Sequence, residues 1–333
     1  MVGHTTRLRA RVICVTIGLG LAACGKSDGP PSSDAPAKAD TPRAKAPADL
    51  VAVGPFEVEG SKMYADPRDQ VITPWLKKGV WEPLETALFR SEIGEGDVVV
   101  DVGANVGYYT LIAAQKVGKT GQVWAFEPDP DSFELLRRNV ELNGYDNVQL
   151  VPKALGAKPG TLRLYRHPTN RGDHRIYDPG DTREAVQVEV TTLDQYFATR
   201  DRVDLIKIDT QGAECTILAG AGQTLQRHDD VRLIMEYTPQ YIRQMGADPA
   251  ACLSGLDELG FAFYEILEFA QNKAVVKTDL DTLRARYPES KDDYTNLFLP
   301  SRRQLAAGGT GGSGSDGGSG SGATSGLGSG SGG

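Results

Sequence analysis

The sequence of 333 residues has little of what marks several common classes of protein. It has no excess of positive charge: the net charge is −8, so the chain lacks the basic surface that neutralises nucleic-acid phosphates. It has no apolar run of about 20 residues, the length that crosses a membrane as a helix. Its few histidines, at 4, 167, 174 and 228, lack the spacing of metal ligands. These absences predict no nucleic-acid partner and no metal, and favour small molecules or glycans as ligands.

Two regions lack the apolar side chains of a folded core. Residues 25–50 consist mostly of Pro, Ala, Ser, Asp and Lys, and residues 306–333 contain 21 Gly or Ser in 28 positions. Because neither region can offset the entropy of ordering its backbone, we expect a disordered linker and a disordered tail. The remaining residues, 51–305, carry 29 basic and 39 acidic side chains and suffice for one large domain.

The first 24 residues have the order of a secretory signal. Three arginines in the first eleven residues precede the apolar run "VICVTIGLGLAA" at 12–23, which is too short to span a bilayer. The junction "LAACG" resembles the lipobox of bacterial lipoproteins, in which the cysteine is acylated. We therefore predict a signal peptide over 1–23 and lipidation at Cys24, which anchors the protein to a membrane in the cell envelope. The alternatives are secretion without lipid and a misassigned start upstream of a cytoplasmic enzyme.

Of the four cysteines, two lie in the domain, and these, Cys215 and Cys252, are in segments with a helical pattern. We predict that they are unpaired, because a buried free cysteine behaves as a small apolar residue. A disulfide formed in an oxidising compartment is the alternative.

Apolar strand-like runs alternate with amphipathic helical segments from residue 98 onward. Such runs, joined by helices, indicate a parallel sheet that is covered on both faces, and we predict an α/β, doubly wound, Rossmann-like fold. The predicted strands are 98–102, 122–126, 147–151, 203–208 and 231–237, and the predicted helices are 108–117, 131–142 and 213–226.

Other segments fall outside this alternation. Residues 161–166 and 185–190 alternate between apolar and polar side chains, which predicts a hairpin-like insertion next to the sheet. Residues 79–92 are typical of a helix before the first strand, and residues 295–300 of a closing strand.

A nucleotide-type site is predicted at the carboxyl ends of the first two strands. Asp101, Gly103, Asn105 and Gly107 occupy the turn after the first strand, where glycine allows a close approach to a ligand. Glu127 ends the second strand, 24 residues after Gly103, where an acid can accept hydrogen bonds from both ribose hydroxyls. This arrangement serves NAD and S-adenosylmethionine alike, although the spacing departs from the G-x-G-x-x-G of nicotinamide enzymes.

Three strings together resemble the FkbM family of S-adenosylmethionine-dependent methyltransferases: "GDVVVDVGANVGYYTLIAA" (96–114), "VWAFEPDPDSFELLRRNVELNG" (123–144) and "VDLIKIDTQGAECTILAGA" (203–221). The resemblance implies a class I methyltransferase core over about 79–270 with S-adenosyl-L-methionine as cofactor. It also implies that Asp101 and Gly103 hold the methionine portion, and that Glu127 binds the ribose. The remaining cofactor contacts implied are Asn105 and Gly107 in the turn, Pro128 and Asp129 at the adenosine pocket, and the segment around Ala154 at adenine.

The reaction expected from the resemblance is O-methylation of a hydroxyl on a sugar or natural-product-type small molecule. A positioned base assists such a transfer, and the candidates are Asp209, Glu236 and Glu214 at neighbouring strand ends. Each has a structural alternative, such as holding a turn or favouring a helix start. His174 in the insertion is a further candidate. Gln211 stands where relatives often carry glutamate, so a role that needs charge there is in doubt.

Two other functions stay open at this point. One is a membrane-anchored, non-catalytic binding protein with a methyltransferase fold, because S-adenosylmethionine is made in the cytosol and an exported enzyme lacks a ready supply. The other is an NAD-dependent oxidoreductase, which the spacing around Asn105 disfavours.

Overall fold

The computed structural model describes residues 50–303. The predicted signal peptide, Cys24, the linker up to residue 49 and the Gly/Ser-rich tail lie outside the described residues. Within residues 50–303, no helix has both the length and the apolar composition to cross a membrane.

Strands and helices alternate along most of the described chain. The strands are β1 (Val53–Val58), β2 (Ser61–Ala65), β3 (Val98–Val102), β4 (Gln122–Phe126), β5 (Val148–Val151), β6 (Ala154–Leu155), β7 (Gly160–Arg166), β8 (Glu184–Thr191), β9 (Leu205–Ile208), β10 (Arg232–Tyr237), β11 (Phe263–Ile266), β12 (Val275–Thr278) and β13 (Thr295–Leu299). The helices are α1 (Ile72–Leu76), α2 (Pro83–Ser91), α3 (Tyr108–Val117), α4 (Pro130–Leu142), α5 (Leu193–Phe197), α6 (Glu214–Ala219), α7 (Gly222–Arg227), α8 (Pro239–Gln244), α9 (Pro249–Glu258) and α10 (Leu280–Arg286).

An eight-stranded sheet forms the centre of the fold, in the order β12-β11-β13-β10-β9-β3-β4-β5. The five strands from β10 to β5 are parallel, and β13, β11 and β12 extend the sheet in antiparallel pairs. The predicted α/β class and doubly wound topology are confirmed. Because the chain order reverses next to β3, the carboxyl ends of β3 and β9 flank the crevice in which such folds bind ligands.

Two apolar clusters cover the two faces of this sheet. Side chains alternate across β3, so that Val99 joins one cluster while Val100 and Val102 join the other. Helices α2, α3 and α4 pack on the first face, and α5, α6, α7 and α9 pack on the second. Each fully buried valine or leucine contributes about 1.5–3 kcal/mol, which makes the central strands a rigid platform for the loops at their ends.

The predicted hairpin insertion is confirmed as a separate small sheet. Strands β7 and β8 pair in antiparallel fashion from Gly160 to Val190, and β6 joins β8 in parallel. The β1–β2 hairpin, the edge strand β12 and its neighbour β11 have no counterpart among the predicted elements.

Two sequence predictions on the second face need correction. The helix predicted over 213–226 is broken into α6 and α7, with Gly220 and Ala221 between them. Gly220 packs closely on Gly156, because a side chain at Gly220 would stand 2.2 Å from the carbonyl oxygen of Gly156. The prediction of unpaired cysteines is wrong: Cys215 in α6 and Cys252 in α9 form a disulfide, with 5.6 Å between their Cα atoms.

Candidate cofactor and acceptor site

A cavity of about 390 Å³ opens at the carboxyl ends of β3, β4, β9 and β10. Most of the residues predicted for the site lie together in its wall. Those that line it are Asp101, Gly103, Asn105, Glu127, Pro128, Ala154, Asp209 and Glu236. Gly107, Glu214 and Asp129 do not line it, and each has a supporting position described below.

Gly103 brings the turn after β3 against the end of β9. Its φ is 82°, and a Cβ built on it would stand 2.0 Å from the carbonyl oxygen of Asp209. Gly107, with φ 99°, lets the start of α3 pack on α4, because a Cβ there would stand 2.7 Å from Leu136 Cδ1. The first glycine joins the two halves of the cavity, and the second only shapes the turn that borders it.

The carboxylate of Glu127 is fixed by two backbone amides. The Asn105 N–H donates to Oε2 at 2.8 Å, and the Asp129 N–H donates to Oε1 at 2.7 Å. Burial, followed by the nearby charge of Asp129, raises the pKa of Glu127 to about 8. Each oxygen of an ionised carboxylate has a second lone pair, so this side chain can accept two further hydrogen bonds from a diol in the cavity.

Arg171, from the insertion, holds both of the residues whose amides fix Glu127. Its carbonyl oxygen accepts a hydrogen bond from Asn105 Nδ2 at 3.1 Å, and its guanidinium donates to Asp129 Oδ1 at 3.3 Å. The same guanidinium pairs with the fully buried carboxylate of Asp66. Arg171 also lines the cavity, so the insertion is tied directly to the predicted ribose contact.

The part of the cavity lined by the predicted cofactor residues, the cofactor half, contains one more carboxyl group. It belongs to Asp101, which is buried next to α3. Thr110 Oγ1 donates to Asp101 Oδ2 at 2.5 Å, and burial raises the pKa of Asp101 to about 6. The neighbouring Asn105 has φ 51°, and its Oδ1 is buried without a partner among residues 50–303. A buried acceptor without a donor is costly, so a ligand with an N–H or O–H group is favoured here.

Apolar side chains also line the cofactor half of the cavity. Pro128, Ala154 and Leu155 line it from the ends of β4 and β6, and the insertion adds Leu164 and Ile176. His174 also lines the cavity here, and burial lowers its pKa to about 4. A neutral histidine beside an apolar wall suits the flat ring of a nucleobase.

Lys207 is the centre of the charged half of the cavity. It is buried in β9, and its Nζ lies 3.2 Å from both Glu85 Oε1 and Asp209 Oδ2. It also lies 4.2 Å from the centre of the Tyr109 ring. Burial alone lowers the pKa of Lys207, but the charges of Glu85, Asp209 and Glu82 outweigh it and hold that pKa above the usual range. Lys207 therefore stays protonated beside Asp209.

Two further carboxyls of this half favour their neutral forms. Burial, followed by the charge of Asp209, raises the pKa of Glu236 well above its usual range, while Gln211 Nε2 donates to its Oε2 at 2.9 Å. Burial and the charge of Glu85 raise the pKa of Glu82 in the same way. Asp209 is the more accessible acid, with 36% of its side chain exposed.

Glu214 supports the turn after β9. Its Oε1 accepts hydrogen bonds from the amide and hydroxyl of Thr210, both at 2.9 Å, and from the Gly212 amide at 3.3 Å. Its carboxyl is completely buried, and burial raises its pKa to about 7. Asp129 has a similar role as the N-cap of α4, where it accepts hydrogen bonds from the amides of Asp131 and Ser132.

Sequence reasoning missed four residues of the site. Glu82 and Glu85 stood in a segment read only as a helix, and Arg171 stood in a polar loop. Lys207 carried a usable signal: it is the one charge in the buried strand "LIKI", and a buried lysine must have an anionic partner.

A family model described as the methyltransferase FkbM domain matches residues 101–273, which is more than half of the chain. The chain belongs to the FkbM methyltransferase family.

Three curated relatives are similar to it. Methyltransferase 1 of Beauveria bassiana is 26% identical and aligns over 47% of this chain and 71% of its own. The hexuronic acid methyltransferase AglP of Haloferax volcanii is 27% identical, over 42% and 56%, and the 2-O-methyltransferase NoeI of Sinorhizobium fredii is 30% identical, over 39% and 59%. The chain thus spans just over half of two of these relatives.

The cofactor of this FkbM domain is S-adenosylmethionine, and the cavity has the donor and acceptor set that the cofactor requires. The molecule carries an ammonium group, a ribose diol and an adenine. The cavity offers the carboxyl of Asp101, the unpartnered Oδ1 of Asn105, the fixed carboxyl of Glu127 and an apolar border at Ala154. Family membership thus decides against the nicotinamide alternative.

Proposed function

We propose that this FkbM domain methylates a hydroxyl group on a sugar or another natural-product-type small molecule. One observation carries the proposal: the carboxylate of Asp209, paired with a buried lysine, opens into the cavity that the predicted cofactor residues line. The names of two relatives agree with it, since one is a hexuronic acid methyltransferase and the other a 2-O-methyltransferase.

Asp101, Asn105 and Glu127 would hold the cofactor, with Gly103 allowing the turn to approach it. When bound, S-adenosylmethionine supplies a methyl group that is activated by its positive sulfur. The protein's main contribution to such a transfer is to orient the acceptor in line with that methyl group. The turn at Gly103 touches the end of β9, so the residues for the cofactor and for the acceptor are held at a fixed separation.

Asp209 is the proposed general base. Lys207 Nζ lies 3.2 Å from the Oδ2 of Asp209, and 36% of the Asp209 side chain is exposed, so the carboxylate is both paired with a cation and open to an acceptor. The acceptor hydroxyl would pass its proton to Asp209, and a positioned base of this kind contributes about 10²- to 10⁴-fold to the rate. Glu236, in its neutral form, would donate a hydrogen bond that orients the acceptor. Glu214 would act only by holding the turn.

The test separates binding from chemistry. Calorimetry is expected to show binding of S-adenosylmethionine and of its demethylated product, and Glu127→Ala is expected to weaken both. Asp209→Asn is expected to retain cofactor affinity while turnover falls by about 100-fold or more. Glu236→Gln, which keeps a neutral donor, is the matched control and retains most turnover. A folded protein that binds no cofactor would refute the proposal, and unchanged turnover in Asp209→Asn would remove that residue from the mechanism.

We also propose that the protein is exported and anchored to the cell envelope by a lipid on Cys24. The proposal rests on the signal-like pattern of residues 1–24 and is supported by the Cys215–Cys252 disulfide, since structural disulfides persist in oxidising compartments. Mass spectrometry of the mature N-terminus, together with cell fractionation, tests it. An unmodified Cys24 in a cytoplasmic protein would contradict it.

A further inference from the structure

Exposed apolar side chains gather at the mouth of the cavity. Four of them lie there: Val71 and Tyr294 line the cavity, Trp75 contacts the cavity residue Trp81, and Phe269 contacts Tyr294. Phe269 is 73% exposed, Tyr294 43% and Trp75 41%. Within residues 50–303, the large apolar side chains that are exposed are Val51, Val71, Trp75, Leu142, Phe269 and Tyr294. The concentration at one opening indicates a binding surface.

The aromatic residues form two pairs, each with one ring in the cavity and one outside it. The ring centres of Trp75 and Trp81 are 6.3 Å apart at an angle of 81°, and those of Phe269 and Tyr294 are 6.2 Å apart at 68°. Lys78 Nζ lies 4.2 Å from the Trp75 ring and helps to orient it. Flat aromatic rings can stack on the C–H faces of sugar rings, and each pair extends the aromatic surface from the cavity to the exterior.

The carboxyl groups of the charged half of the cavity, where the acceptor would bind, restrict which acceptors can enter. Glu82, Asp209, Glu236 and Asp292 line it, whereas its buried cation, Lys207, is already paired. A carboxylate on the acceptor would be repelled by the carboxylates of Asp209 and Asp292, but a neutral or amine-bearing acceptor would not.

We propose that the acceptor is an oligosaccharide without acidic groups, whose sugar rings beyond the methylated one stack on Trp75 and Phe269. The inference rests on the function proposed above and adds to it the size and charge of the substrate. An acceptor longer than one sugar would leave a cavity of about 390 Å³ past the exposed aromatic rings at its mouth.

A glycan array tests the proposal with the full chain in the presence of S-adenosylhomocysteine. The array carries monosaccharides, neutral oligosaccharides, amine-bearing oligosaccharides and uronate oligosaccharides. We expect binding to neutral or amine-bearing oligosaccharides, weakened by about tenfold or more in the double variant Trp75→Ala/Phe269→Ala. Leu142→Ala removes an exposed side chain away from the cavity and is the matched control, with unchanged binding. The affinity for S-adenosylhomocysteine, measured by calorimetry, stays the same in all three proteins.

Several outcomes would overturn the proposal. They are binding to monosaccharides or uronate oligosaccharides alone, binding that the double variant leaves intact, and no glycan binding by a chain that still binds S-adenosylhomocysteine. Binding to phosphatidylglycerol vesicles, or dimers seen by light scattering, would also overturn it if the double variant abolishes them, since the aromatic rings would then serve a membrane or a second copy. Failure of the wild-type chain to bind S-adenosylhomocysteine would instead count against the proposed function, and the array would still decide the docking surface.

Discussion

Replacing Lys207 by methionine would remove the cation that two carboxylates share. At an effective dielectric constant of about 20, unit charges 3.2 Å apart attract each other by about 5 kcal/mol. The attraction to Asp209 is partly screened, because 36% of that side chain is exposed, but Glu85 is almost wholly buried. Removing one partner of a buried ion pair costs about 3–5 kcal/mol, and we expect Lys207→Met to lower the free energy of unfolding by that amount at pH 8.

The pH dependence of this loss of stability shows whether it arises from the missing charge or from altered packing. In the variant, the pKa of Glu85, which burial already raises in the wild type, would rise further, so the folded state would bind more protons than the unfolded state near neutrality. Stability then falls more steeply as pH rises and recovers as pH drops toward 5, where Glu85 takes up a proton. The wild-type protein should show a shallower fall over the same range, because buried acids with raised pKa values, among them Glu127 and Glu214, act in both proteins.

Urea unfolding of the two proteins at pH 5, 6, 7 and 8 measures the effect. Lys153→Met is the matched control, because Lys153 pairs with Glu189 at an exposed site where a salt bridge contributes at most about 1 kcal/mol. Lys207→Arg retains the charge and should lose less than Lys207→Met. A loss in Lys207→Met that is the same at every pH, or no larger than in Lys153→Met, would refute the reasoning.

Three further predictions concern the cavity and the disulfide. Gly103→Ala places a Cβ 2.0 Å from a carbonyl oxygen and should weaken S-adenosylhomocysteine binding by tenfold or more. Gly144→Ala, at a similar φ but in open space, is the control and should leave binding unchanged. Equal calorimetric affinities of the two variants would contradict this prediction. Burial raises the pKa of Glu127 to about 8, and its ionised form would accept hydrogen bonds from the ribose hydroxyls. Cofactor affinity should therefore rise with pH up to about 8 in the wild type but not in Glu127→Gln. A rise in both proteins would assign the pH dependence to another group. Reduction of the disulfide, which spans 37 residues, should lower the free energy of unfolding by about 3–4 kcal/mol in urea, and an unchanged midpoint would show that the pair does not form.

The central sheet could be predicted from the sequence because its strands are buried on both faces. Such strands are nearly continuous apolar runs, as in "VVVDV" and "RLIMEY", and the glycines and helices between them mark the crossovers. The edge strand β12 could not be predicted in the same way, since its residues are half-buried or exposed and make no periodic pattern. At the break between α6 and α7, Gly220 packs on Gly156, more than 60 residues earlier in the chain, a contact that no local pattern encodes.

The two halves of the site also differ in how far they could be predicted from local sequence. The cofactor half follows from short local motifs, and Asp101, Asn105 and Glu127 all line the cavity. The charged half depends on convergence: Glu82 and Glu85 come from the start of α2, more than 120 residues before the lysine that they face. Sequence reasoning placed Glu214 among the candidate bases because of its position after a strand, yet its hydrogen bonds to Thr210 and Gly212 depend on how the turn closes.

The raised pKa values of Glu82 and Glu236 bear on how the proposed transfer would proceed. A methyl donor with a positive sulfur loses that charge during the reaction, so a strongly anionic cavity would stabilise the starting state more than the transition state and slow the transfer. Neutral Glu82 and Glu236 limit that effect, because they add no negative charge next to the donor. Lys207 is paired with Asp209 before the reaction, and proton uptake by Asp209 would remove the charge of that carboxylate during the reaction. The crowding of acids around one lysine therefore limits the negative charge around the positive donor, while Asp209 stays available to take the proton.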